Sequence, residues 1–433
     1  MDYRYNDSGI AWIGRIPCDW EITAIKQLMH LYAGATPKSD NEELWDGDIA
    51  WITPADYKTE DVYISKGRRN ISAKGMESCA TTLLPINSII FSKRAPIGLV
   101  VLNKEPLCTN QGCIGCIPKK EKAYSKYYYY TISAFTEQFE LFGAGTTFKE
   151  ISASNFANFL LPFPKIEEQQ RIAEYLDGKC GEIDGLTTIL EQMIAQLTDY
   201  KQSIITETVT KGLNSDAKLV PSGIDWIGMI PDGWRITEMK NLCVSITDGS
   251  HFSPERQSDG MPYITAGDVR GRGIDYKNAM RIKIEDYNML ESQGCRPHKG
   301  DVLMVKDGAT TGRVGMMIDD EECVLLSSVA MLTPRESVDS DYLMYLIQSD
   351  VIQSQIRLLM AGSAMPRVTL KKINTLNGLQ LSIDEQRAIA EYLDSKCDEI
   401  DRLIAMKRQK IETLKVYKKS IIYEAVTGKT IIE

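Results

Sequence analysis

Apolar positions in residues 168–210 fall three and four apart. Ile183, Leu186, Leu190, Met193, Leu197, Tyr200 and Ile204 form a heptad stripe that no proline interrupts. Residues 385–427 carry a related stripe through Ile400, Leu403, Leu414, Tyr417 and Ile421. There Lys407 and Lys410 replace two apolar members, while Ile404 and Ile411 shift the stripe sideways. Both segments are predicted as helices of about 40 residues, roughly 60 Å long. One long helix with one apolar stripe needs a partner. The expected partner of each is the other, with the seam running through the residues above.

Elsewhere the pattern changes to short β-rich runs closed by turn formers. DIAWITP (48–54) and MPYITAGDV (261–269) are two of these; SIIFSK (88–93) and DVLMVK (301–306) are two more. Later stretches, 125–142 and 341–360, return to helical sequence, and each runs into a Gly with small polar neighbours. These segments fall at matching places in the two halves.

The match is a duplication. Residues 8–28 and 222–242 agree at 13 of 21 positions, and 168–210 and 385–427 at 25 of 43. About 140 residues between the matched segments barely resemble each other. The expected fold is α+β (mixed α/β) with an internal repeat. Its divisions are 1–165 and 213–382 for the variable domains, 166–212 and 383–433 for the helices. Such a chain reads two different things with one scaffold.

Composition is that of an ordinary globular protein, with 43% hydrophobic and 25% charged residues. No apolar run approaches the ~18–20 residues of a membrane span, and MDYRYNDSGI is not a secretory signal. A cytoplasmic location is expected. The net charge of −9 argues against a protein that coats DNA unaided. The variable stretches are near neutral: 16 basic against 15 acidic residues over 21–165, and 17 against 19 over 235–382. Nucleic-acid binding would therefore rest on local patches and basic partners.

Catalytic signatures are missing from the sequence: no P-loop, no H-E-x-x-H, no G-x-S-x-G. Cys113 and Cys116 form one C-x2-C among ten cysteines, but no second pair follows and the chain has three histidines. Buried thiols are expected, with no metal site. The run Tyr127–Tyr130 must face several ways in a helix, so most of it is expected in the core. Basic and hydroxyl residues recur on glycine turns at matched places. Lys93, Arg94, Thr146, Thr147 and Lys149 form the first set; Lys306, Thr311, Arg313, Ser363 and Arg367 form the second. Each alone reads as a solvated turn. Repeated as sets, they suit phosphate contacts and base edges.

The opening W-I-G-x-I-P-x-x-W (Trp12 to Trp20, Trp226 to Trp234) and the E-Q-x-x-I-A-x-x-L-D that begins each long helix appear twice. In this the whole chain resembles the specificity subunit of type I restriction–modification systems. The resemblance implies two target-recognition domains separated by two long helices that pair as an antiparallel coiled coil, with pseudo-twofold symmetry. It implies sequence-specific binding of double-stranded DNA at a bipartite, asymmetric target. Two modification subunits would methylate adenine and restriction subunits would translocate and cleave. S-adenosylmethionine, ATP and Mg would all sit on those partners; this chain would have no active site and no cofactor. Two other readings stand beside it. One is a specificity module of a different DNA methyltransferase assembly. The other is a non-DNA coiled-coil scaffold with two protein-binding domains.

Overall fold

Pairing of the short β-runs builds the same sheets in each half. The structure is a computed structural model that describes residues 4–94, 96–143, 149–360 and 366–432. In the first half a five-stranded sheet has the order Met29–Ala33, Cys113–Pro118, Ile89–Ser92, Val100–Asn103, Tyr63–Ile64. In the second half four strands repeat its first four places: Cys243–Asp248, Val329–Pro334, Val302–Val305, Val314–Met316. A smaller sheet accompanies each. Trp45–Ile52 lies between antiparallel Arg69–Ile71 and parallel Leu107–Thr109; Met261–Ile264 lies between antiparallel Met280–Ile282 and parallel Val324–Leu325. Cys113 and Cys116, three apart on one strand, face opposite sides and join different apolar clusters. Burial pushes the Cys113 thiol up to about 12 and raises Cys116 further, so neither is a ready thiolate.

Helices cover the larger sheets. The stretches 125–142 and 341–360 each form two helices, Ser125–Ala134 with Thr136–Leu141 and Ser340–Gln348 with Asp350–Met360. All four tyrosines 127–130 are buried. Tyr127 Oη donates to Val426 O at 3.1 Å and Tyr130 Oη to Asp177 Oδ1 at 2.7 Å, so these rings are core and not stacking platforms.

The signature at the head of each long helix is accounted for residue by residue. The helices span Ile166–Lys211 and Ile383–Val426, 46 and 44 residues. Glu168 accepts from Trp20 Nε1 at 3.1 Å, and Glu385 from Trp234 Nε1 at 3.2 Å, which ties the opening segment to the helix. Gln169 is fully buried. Its amide donates to Lys122 O and Pro164 O and accepts from Tyr124 N. Gln386 repeats this with Ser337 O, Leu381 O and Asp339 N. Ile172, Ala173 and Leu176 are buried, as are Ile389, Ala390 and Leu393. Asp177 holds Lys126 and Tyr130; Asp394 holds Arg272 and Tyr345. Every letter of the motif is therefore a packing or hydrogen-bonding requirement.

Packing divides the chain into two compact units, Met1–Leu190 with Gln409–Glu433, and Glu191–Arg408. Each unit thus takes a part of both long helices. Within the first unit the two helices run antiparallel. Cys180 and Ile183 share a core with Ile421, Ala425 and Val426, and Lys418 Nζ reaches Asp184 at 2.6 Å. Within the second unit Lys201 Nζ reaches Asp401 at 2.6 Å and Lys407 approaches Met193 at 3.5 Å, again antiparallel. Asp184 and Asp401 are repeat equivalents, and so are Lys201 and Lys418. One ion pair is made twice, with the helices exchanging roles.

The apolar seam is narrower than its heptad pattern implies. Ile183, Ile400 and Ile421 are buried, and Leu190, Leu197, Ile204 and Leu414 are half-buried. Leu186, Met193 and Leu403 are exposed, as are Tyr200 and Tyr417. Ile404 and Ile411, the residues that shift the second stripe, are buried instead. Two helices alone bury a thin strip, and the rest of a wide stripe faces out. Among the described residues no helix is long and apolar enough to cross a membrane.

The buried amide makes a clear prediction. Gln169→Leu keeps the side chain's bulk but leaves one N–H and two carbonyls unpaired, at about 1–3 kcal/mol for each such group. Thermal unfolding of Gln169→Leu should fall well below that of Glu168→Gln, which keeps an acceptor for Trp20. Equal melting temperatures would contradict this role.

Candidate nucleic-acid interface

A glycine turn follows the central strand of each larger sheet. Gly98 and Gly312 have φ of +90° and +94°, which favours glycine. A Cβ would come 2.5 Å from Thr136 Cγ2 at the first and 2.6 Å from Gln353 Oε1 at the second. On these turns lie Lys93, Arg94, Lys306 and Arg313, while Lys149 and Arg367 lie on the segments that bridge back to them.

In the first unit Lys93 Nζ and Arg94 Nε each reach one oxygen of Glu150, both at 2.8 Å. Arg94 and Glu150 also form an isolated antiparallel β-bridge. The hydrogen bond from Lys93, with help from Arg94, holds the Glu150 carboxyl below its ordinary range despite some desolvation. Arg94 keeps about half of its side chain exposed, and Lys149 is exposed.

In the second unit the same bridge joins Asp307 and Arg367. Arg367 Nε lies 3.0 Å from Asp307 Oδ1, an ion pair out of hydrogen-bond alignment. The charges are reversed: the cation stands on the turn in the first unit and on the returning segment in the second. Lys306 is 2% exposed, held by Asp248 at 3.1 Å and Asp307 at 2.9 Å. Its ammonium is enclosed and compensated, so it supports the turn and does not face solvent. Thr311 is half-buried, its hydroxyl donating to Gly308 O. Arg313 and Arg367 are exposed. Thr146, Thr147 and Ser363 lie outside the described residues. Among the described residues no three His, Cys, Asp or Glu side chains gather as a metal-ligand set.

Sequence reasoning passed over one feature of this surface. Thr53–Asp56 and Thr265–Asp268 form the same turn. In each, the aspartate Oδ2 accepts from the threonine N and Oγ1, and the threonine Oγ1 accepts from the N–H two residues on. The repeated I-T-x-x-D in the two halves was its signal.

A duplicated α+β fold, two helices made antiparallel in each unit and basic glycine turns at matched places mark a chain built as two copies of one design. The family model described as "type I restriction modification DNA specificity domain" matches residues 17–198 and again 231–415. The chain belongs to that family. It is 27% identical to the type I restriction enzyme MjaIX specificity subunit of Methanocaldococcus jannaschii, over 97% of this chain and 96% of that one. It is 23% identical to the EcoBI specificity subunit of Escherichia coli, covering 75% and 69%. Among solved structures, a chain from a study of type I R-M complex assembly and conformational transition aligns with a TM-score of 0.72 at 16% identity, covering 96% and 99%. The HsdS subunit from Thermoanaerobacter tengcongensis aligns at 0.50 and 16%, covering 96% and 98%. These two show the shared fold.

The reversed ion pair can be tested by grafting. Arg94→Asp alone should lower the urea midpoint, because it sets two carboxylates together. Arg94→Asp with Glu150→Arg recreates the arrangement of Lys306, Asp307 and Arg367. A double-mutant cycle should return a coupling of about 0.5–1 kcal/mol, with most of the lost stability restored. Simple additivity of the two single losses would show that the bridge does not hold the turn.

Proposed function

We propose that this chain is the DNA-reading subunit of a type I restriction–modification complex and that it reads a bipartite, asymmetric target. The observation that carries this is the repeat itself: one frame made twice, with unlike inserts. The reading treats 1–165 and 213–382 as target-recognition domains and 166–212 with 383–433 as the spacer helices. Pseudo-twofold symmetry suits a duplex with antiparallel backbones, and divergence of the inserts makes the half-sites differ. The candidate DNA contacts are Arg94, Lys149, Arg313 and Arg367 with Thr146, Thr147, Thr311 and Ser363. Lys93 and Lys306 act by holding the turns. Phosphate contacts would position each domain, and base-edge contacts would specify.

The remaining parts of the reading concern partners. Two modification subunits would supply S-adenosylmethionine and adenine methylation, and restriction subunits ATP, Mg, translocation and cleavage. This chain would scaffold them without an active site, in the cytoplasm where chromosomal DNA lies. The apolar side chains that the helices leave exposed, Leu186 and Ile189 in one unit and Met193 and Met406 in the other, favour docking of protein along the helices. A near-neutral reader is workable when such partners neutralise most of the phosphates.

Continuous helices act as a ruler. Four residues inserted beside Gln192 lengthen the first helix by ~6 Å and nearly keep its stripe in phase. At ~3.4 Å per base pair, the preferred spacer should grow by one or two base pairs with both half-sites unchanged. A spacer-length series on synthetic duplexes reads this out with the assembled complex. An unchanged spacer would mean that each helix only covers its own domain. Exchange of residues 21–165 for the matching domain of a relative should change one half-site; a change in both would refute independent reading.

A further inference from the structure

We infer that Arg68 and Arg270 are specificity-determining residues, each presenting a guanidinium to a guanine in the half-site read by its own domain. The inference rests on the DNA-reading function proposed above.

The two arginines are not repeat equivalents. Arg68 follows Asp56 by twelve residues, while Arg270 follows Asp268 by two. Yet both end on the same carbonyl of the same turn. Arg68 Nη2 donates to Ala55 O at 2.8 Å, and Arg270 Nε donates to Gly267 O at 2.9 Å. Ala55 and Gly267 each lie two residues after the threonine that opens the turn. A carboxylate steadies each guanidinium at longer range: Asp56 Oδ1 is 3.7 Å from Arg68 Nε, and Asp275 Oδ2 is 3.4 Å from Arg270 Nη1. The two domains have reached one placement by different chain routes.

Packing does not explain that placement. The side chains are 76% and 63% exposed, so neither fills a core. Their turns, by contrast, are rigid. The Asp56 side chain is 3% exposed and also accepts from Arg68 N at 3.0 Å. Each guanidinium is thus held at two of its nitrogens while much of the group stays in solvent. That is the preorganised fork that recognises O6 and N7 of guanine.

The turns also adjoin the basic glycine turns. Pro54 packs within 3.1 Å of where a Gly112 Cβ would stand, and Gly112 O accepts from Lys93 N at 2.9 Å. In the second unit Arg313 Nη1 donates to Val269 O at 3.4 Å, beside Arg270. Each domain therefore sets an anchored arginine beside a glycine turn that carries a second, exposed arginine, Arg94 next to Lys93 in the first and Arg313 in the second. Phosphate contact by the second cation would set the register in which the first meets a base edge.

The test uses the chain assembled with its modification subunits, and duplexes carrying every single-base change in the target. Arg68→Lys keeps the charge but loses the fork, and Arg270→Lys does the same in the other domain. Thermal melting of each variant against the parent checks that the turn survives. Arg68→Lys should cut discrimination at one guanine position by roughly tenfold or more. That position should lie in one half-site, with the other half-site and the salt dependence of binding unchanged. Arg270→Lys should relax one position in the opposite half-site. Uniform weakening on all sequences, a flatter salt slope in the corresponding alanine variants, or selectivity equal to the parent's would overturn the assignment. A parent complex without sequence selectivity would instead refute the DNA-reading function on which it rests.

Discussion

A long helix with one apolar stripe cannot bury that stripe alone, and this constraint organises the chain. Duplication meets it. The second copy supplies a helix of the same design, and antiparallel pairing lets one set of contacts be made twice. Asp184 with Lys418 and Lys201 with Asp401 are the same pair with the helices exchanged. Exposed ion pairs of this kind contribute little stability. Their value is register: they fix which turn of one helix meets which turn of the other.

The domains are joined to the helices by contacts that leave little freedom. Gln169 and Gln386 satisfy three buried backbone groups apiece, and Trp20 and Trp234 bond to the glutamates beside them. The junction is polar but enclosed, so it is directional where apolar packing alone would slide. The Trp234 acceptor, Glu385, is held below its ordinary range chiefly by the Ser382 hydrogen bond, whereas burial raises Glu168. The two junctions share geometry while differing in local electrostatics. The divergent inserts repeat this theme, with an Arg94–Glu150 bridge in one and an Asp307–Arg367 bridge in the other. The shape of the turn is kept while its charges change places.

Much of this was legible in the sequence. The repeat, the long helices and the family were carried by identities at fixed offsets and by three-four spacing. Burial of most of Tyr127–Tyr130 followed from consecutive helical positions, and the fold buries all four. The width of the seam was not legible: periodicity names the residues on a stripe but not how many layers cover it, so Leu186, Met193 and Leu403 lie outside the buried strip. Lys306 stood on a glycine turn like its neighbours, and only the fold brings Asp248 to enclose it. Arg68 and Arg270 escaped because they occupy different sequence positions and coincide only in space. The turn beneath them, I-T-x-x-D, was present in both halves and was readable as a capping pattern.

Under the proposed function, one repeated frame displays two unlike readers to one duplex. Methylome sequencing of a host that carries the intact system tests it directly. Modified adenines should fall within a single bipartite motif, its two halves different in sequence and separated by a spacer of constant length and no sequence preference. A continuous or palindromic motif would contradict it.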